Sequence, residues 1–167
     1  MNQKGFSYIE LVASLAIFLV VSATMLANFR EGDRSEQLRK SAELLASYFR
    51  ETQTRSITGY GGVNINGYGI RGLNNNSAFR EYADDVSSAS PNRYDSGEEV
   101  ISPGLLENVR VSGTFDIFFA KPAGDVYEAG VLTTGTATAT ILHIQTGQSI
   151  DVTVNGTSGQ VNVGDPY

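Results

Sequence analysis

A carboxylate set directly ahead of a long apolar run is the feature of this 167-residue chain that most invites chemistry. Glu10 precedes Leu11–Phe29, LVASLAIFLVVSATMLANF, which contains no charge and no proline. As a helix the run spans about 28 Å, close to the ~30 Å hydrocarbon core of a bilayer. A carboxylate carried into lipid costs roughly 2.5–3.5 kcal/mol even on lenient insertion scales, so an intramembrane acid reads as functional by default. The plainer alternative is an acid resting at the interface with its head in water.

Other chemistry-bearing patterns are weaker. His143, the single histidine, lies in an alternating segment between Leu142 and Ile144, with Ser149 and Asp151 nearby in sequence. No nucleophile-elbow pattern accompanies it, so an ordinary strand histidine is favoured over a catalytic triad. Gly67-Tyr68-Gly69-Ile70-Arg71-Gly72 fits G-x-G-x-x-G to the letter. Dinucleotide chemistry needs a helix opening on such a loop. Leu73-Asn74-Asn75-Asn76-Ser77 follows instead, a poor helix start, and the match reads as incidental. Asp84, Asp95, Glu98 and their acidic neighbours could offer oxygens to Ca²⁺, but their spacing does not reproduce an EF-hand loop. A solvated turn is the preferred reading there, and no metal ligand is assigned. The chain has no cysteine, which removes disulfides, thiolate zinc sites and a cysteine nucleophile. The expectation is a protein that is not an enzyme and carries no cofactor.

Charge narrows the partners. From Gly59 to Tyr167 five Lys and Arg (Arg71, Arg80, Arg93, Arg110, Lys121) face twelve Asp and Glu, a net charge of −7. Phosphate binding runs on clustered cations, so nucleic acid is disfavoured, although folding could still gather three of the five.

The elements that must carry these residues follow from periodicity. Arg30–Ile57 has no proline and one glycine, Gly32. Leu38, Ala42, Leu45, Phe49, Gln53 and Ile57 fall at helical spacing and predict the core-facing stripe of one helix. Glu36, Arg39, Lys40, Glu43, Arg50 and Glu51 cover its solvated faces, and Gly59-Tyr60-Gly61-Gly62 ends it. From Val63 the period changes to two. Val63 to Ile70 reads as a strand or hairpin broken at Gly67 and Gly69. Val109–Val111 and Phe115–Phe119 alternate, and Lys121-Pro122-Ala123-Gly124 marks a turn. Thr138–Ile144, Ile150–Val154 and Val161–Val163 predict an antiparallel meander with hairpin turns. Asn74–Ser102 between them is the most polar stretch, and no element is assigned there. The fold class expected is α+β, a long N-terminal helix packed on an antiparallel β-sheet head.

Three fates are open to the apolar segment: a cleavable secretory signal with Val21-Ser22-Ala23 as cleavage site, a plain anchor, or something more specialised. Against the first, the run continues through Met25, Leu26 and Phe29, and Glu10 stands at its head. Lys4-Gly5-Phe6-Ser7-Tyr8-Ile9-Glu10-Leu11 followed by a long apolar helix resembles the processing and assembly segment of type IV pilins and pseudopilins. The likeness is specific over Lys4 to about Phe29. The Asp84–Glu99 stretch is similar to a loop of minor pilins and of H-type minor pseudopilins of type II secretion.

The resemblance implies cleavage by a prepilin peptidase after Gly5, N-methylation of the new terminal Phe6, and a role for Glu10 in assembly. It implies residues 1–5 as leader, 6–29 as the transmembrane and filament-core half of the helix, 30–58 as its amphipathic half and 59–167 as a β-rich head. Its partners would be other pilin or pseudopilin subunits in a helical filament, the peptidase, an inner-membrane assembly platform, and lipid before assembly. The location implied is the bacterial cytoplasmic membrane, single-pass with the head outside the cytoplasm, and then a cell-surface or periplasmic filament. That loop and the lack of a cysteine-closed C-terminal loop favour a minor subunit. Two features depart from this picture. The apolar half lacks the kinking proline common in the family, and Arg30, Arg34, Arg39 and Lys40 follow the run where the positive-inside rule wants few cations. Long domains often translocate regardless of flanking charge. The competing class is a secreted or membrane-anchored, non-catalytic binding module with a β-sandwich-like head.

Overall fold

The computed structural model describes residues 7–105 and 107–167, apart from the side chains of 27–31 and Glu99. Helix α1 runs Tyr8–Ile57, fifty residues. Its start is fixed locally by Ser7 and Glu10, whose contacts are given below. Its end is a Schellman turn: Gly59 takes φ +70°, its N–H reaches Ser56 O at 3.2 Å, and Tyr60 N–H reaches Arg55 O at 3.1 Å. The glycine-rich segment expected to end the helix supplies that left-handed residue.

The chain divides into two compact units, Met1–Arg34 and Ser35–Tyr167, with the division inside α1. In the first unit, Tyr8–Leu26 has a mean hydropathy of 2.3 and is long and apolar enough to cross a membrane, with none of it buried in protein.

The second unit holds Ser35–Ile57 of α1 and ten strands: β1 Ile65–Gly72, β2 Phe79–Asp85, β3 Glu99–Ile101, β4 Val109–Ser112, β5 Phe115–Ala120, β6 Asp125–Glu128, β7 Val131–Leu132, β8 Thr136–His143, β9 Ser149–Asn155 and β10 Val161–Val163. They form two sheets, ordered β3-β2-β1-β5-β6-β7 and β10-β9-β8-β4, with every pairing antiparallel. The expected C-terminal meander is β8-β9-β10, with β4 added at its free side. Leu38, Ala42, Leu45, Ala46 and Phe49 enter one core with residues of both sheets, among them Ile70, Phe115, Ile117, Phe119, Ile141 and Val152. Phe49 packs against Phe115 and Phe119 at 6.1 and 6.5 Å between ring centroids. Each buried Leu, Ile, Val or Phe among them contributes roughly 1.5–3 kcal/mol. An α+β architecture with this helix against antiparallel sheets is therefore observed.

Two local expectations are corrected. The helical stripe does not continue through Gln53 and Ile57: Thr52 and Ser56 are buried instead, and Ile57 is exposed. The last turns of α1 face polar groups of the sheet, Tyr68 N–H (3.0 Å to Ser56 Oγ) and the Glu81 carboxylate, so hydroxyls suit the position better than alkyl groups. Arg50 is exposed as expected and also donates to Val161 O at 3.2 Å. Strand β1 passes unbroken through Gly67 and Gly69, with a register irregularity between Ile65 and Gly67. The polar stretch Asn74–Ser102, to which no element was assigned, contains β2 and β3.

Candidate functional site

Gly5 and Phe6 lie outside the described residues. Glu10 lies in the first turn of α1. Its Oε2 accepts the Ser7 backbone N–H at 2.9 Å, Ser7 Oγ accepts Ile9 N–H at 3.4 Å, and Ser14 Oγ donates to the Glu10 carbonyl at 2.7 Å. Glu10 thus satisfies the Ser7 N–H and the Ser7 hydroxyl the Ile9 N–H, so the helix start is capped from both positions. The Ser7-Tyr8-Ile9-Glu10 spacing, S-x-x-E ahead of an apolar run, carries that signal in the sequence, yet Ser7 was not among the residues expected to matter. Beyond Glu10, Leu11, Val12, Leu15, Ile17, Phe18, and Leu19 are all exposed. From Glu10 to Leu26 the side chains present one acid and then only apolar or small polar groups.

The head uses its acids differently from the expected solvated turn. Asp84 is fully buried, and its Oδ2 accepts Asn66 Nδ2 at 3.2 Å and Asn92 N–H at 2.9 Å. Asp116 accepts the Tyr82 hydroxyl at 2.5 Å and Tyr94 N–H at 3.1 Å. Asp95 takes Ser88 Oγ and Ser90 N–H, and Glu98 takes Asp95 N–H. The Ser88 hydroxyl holds Asp95 below the usual carboxylate range, whereas burial, with Asp84 and Asp95 adding, pushes Glu98 up. These contacts pin residues 86–98 over the outer face of the first sheet. Among the described residues no group of three or more His, Asp or Glu is placed to hold a metal ion.

Neither catalytic-looking pattern assembles. His143 points to the buried face of β8, with Nδ1 3.3 Å from Thr146 Oγ1. Asp151 belongs to the opposite face of β9 and is engaged by Thr140 Oγ1 at 2.6 Å and the Tyr167 hydroxyl at 3.2 Å. The three glycines of the G-x-G-x-x-G match lie in β1, and a Cβ on them would strike the Phe119 carbonyl and then the Phe118 ring at Gly67, the Tyr82 ring at Gly69 and the Phe115 ring at Gly72. The motif makes room for rings crossing a strand, not for phosphate.

Folding gathers two of the head's five cations. Arg71 and Arg80 are paired in register and lie 4.9 and 6.0 Å from the Tyr94 ring centroid. Comparison of the chain with protein-family models, curated proteins and solved structures finds no match.

Proposed function

We propose that this chain is a structural, non-catalytic subunit, minor in abundance, of a type IV pilus or type II secretion pseudopilus, processed after Gly5 and assembled through its N-terminal helix. The observation that supports the reading is one continuous helix of two characters. Its first half is apolar, uncovered by the protein and headed by a lone acid, and its second half is built into the core of a β-rich head.

Cleavage after Gly5 would create a cationic α-amine at Phe6 near Glu10 in the chain. In a staggered stack of subunits the carboxylate of one neutralises the amine of another. Each group is costly alone in a low-dielectric setting and far less so paired, so the interaction favours one register. Heterologous stacking of this kind gives an open helical filament. The partners are other pilin-like subunits, the prepilin peptidase and an inner-membrane platform, and the subunit waits in the cytoplasmic membrane with its head outside the cytoplasm.

Glu10→Val tests the reading in the native host. Processing should stay intact while incorporation into filaments is lost. Normal incorporation of the variant would overturn the assignment and return the chain to the class of anchored or secreted binding modules.

A further inference from the structure

The outer face of the first sheet holds a guanidinium that the fold orders and leaves unsatisfied. Arg71 of β1 stands directly opposite Arg80 of β2 on one side and Asp116 of β5 on the other, so all three share a face. Like charges set opposite each other on adjacent strands repel unless they share an acid. Asp116 does not serve Arg71: its Oδ1 accepts the Tyr82 hydroxyl and its Oδ2 the Tyr94 N–H. Among the described residues no carboxylate pairs with Arg71 and no acceptor takes its N–H groups, although the side chain is half-buried and its Nε fully so. A buried donor without an acceptor is costly to keep.

What holds Arg71 is an aromatic ring. Its Cζ lies 4.9 Å from the Tyr94 centroid, a cation–π contact. That ring is itself fixed: the Tyr94 N–H is bound to Asp116, its hydroxyl accepts Arg80 Nη1 at 3.2 Å, and it packs edge-on to Tyr82 at 5.5 Å. Ordering by a ring uses no N–H donor, so the fork of the guanidinium remains to be satisfied. A fork ordered in advance loses little freedom when an acceptor arrives.

We propose that Arg71, seated on Tyr94 and opposite Arg80, is a binding site for a single carboxylate group. Two parallel N–H groups of a guanidinium match the two oxygens of a carboxylate. Charge selects a monoanion over a phosphate dianion, because residues 59–167 carry a net charge of −7 and Asp116 stands in register beside the site. The group is carried by a free organic acid or by an acidic side chain of another protein, and the chemistry of capture is the same. The site does not depend on the filament reading above.

The test is an NMR titration of the isotope-labelled full chain in detergent micelles, read at the arginine Nε–H signals. Sodium acetate is the probe and sodium chloride at matched ionic strength the control. Acetate should move the Arg71 signal saturably, and chloride should not. The signal is identified by its loss in Arg71→Lys. That variant keeps the charge and loses the fork, so acetate binding, followed at the Tyr94 amide, should weaken about tenfold. Tyr94→Leu leaves β1 intact and should weaken binding about threefold through loss of the ring. Arg110→Gln, in the other sheet, should bind acetate as wild type does. A blocked peptide, acetyl-Gly-Glu-Gly-amide, separates the two sources: binding tighter than acetate assigns the site to a protein side chain, and equal or weaker binding to a free organic acid. An Arg71 signal that follows acetate and chloride alike, unchanged acetate binding in Arg71→Lys, or inorganic phosphate binding more tightly than acetate would overturn the proposal.

Discussion

Tyr82 rises from β2, lies across β1 at Gly69, and ends on Asp116 of β5, so one side chain ties three strands together. Its ring stacks on Phe118 at 6.1 Å and meets Tyr94 edge-on at 5.5 Å. Burial first, and then the Asp116 charge, push the Tyr82 phenol well above its ordinary pKa, so it remains a donor at all physiological pH. Two substitutions probe this arrangement. Tyr82→Phe leaves a buried carboxylate short of a donor and should cost about 1–3 kcal/mol. Gly69→Ala forces the ring off the strand, with a similar expected cost of about 1–3 kcal/mol. Urea unfolding of the full chain in detergent, followed by near-ultraviolet circular dichroism, reads both. A midpoint unchanged in Gly69→Ala would contradict the close approach. These roles were hidden in the sequence because G-x-G-x-x-G looks the same whether glycine admits a phosphate or a tyrosine ring.

At the scale of elements, α1 is fastened to β2 by charge as well as by packing. Arg55 reaches Glu81 at 2.8 Å and Glu51 at 2.6 Å, with the buried Thr52 hydroxyl beside Glu81. Burial raises the Glu81 carboxyl above its ordinary pKa, opposed only in part by Arg55. A group so raised binds its proton more readily folded than unfolded. Its contribution is fully present below the unfolded value and is lost as pH rises through the folded value. Wild type should therefore gain stability relative to Glu81→Gln as pH falls from neutrality toward the ordinary carboxylate range. Parallel unfolding midpoints for the two chains across that range would contradict this. The same pair explains why β2 was illegible. Phe79-Arg80-Glu81-Tyr82-Ala83-Asp84-Asp85 places Glu81 against the helix and Asp84 beneath residues 86–98, so acids stand where a strand pattern wants alkyl groups. By contrast β8 and β9 alternate buried, mostly apolar residues with half-exposed, mostly polar ones and could be read directly. Ser56 and Thr52 were missed for a related reason: the Ser56 hydroxyl accepts the Tyr68 N–H and Thr52 is buried beside Glu81, neighbours visible only after folding.

For the molecule as a whole, the core residues of α1 begin at Leu38, within the unit that starts at Ser35. A chain of residues 35–167 should therefore dissolve without detergent and unfold in a single cooperative transition by circular dichroism. Broad, non-cooperative melting would show that the head needs the apolar segment to fold. That segment was the most legible part of the sequence, because nineteen residues without charge or proline admit few structures other than a helix, whereas its use depends on Gly5 and Phe6, outside the described residues.

The central claim is prepilin-type processing, and intact-mass and N-terminal peptide analysis of the protein from native membranes tests it most directly. A chain beginning at N-methylated Phe6 is the predicted result. A chain beginning near Thr24, or one retaining Met1, would contradict it and leave a secreted or simply anchored β-domain in its place.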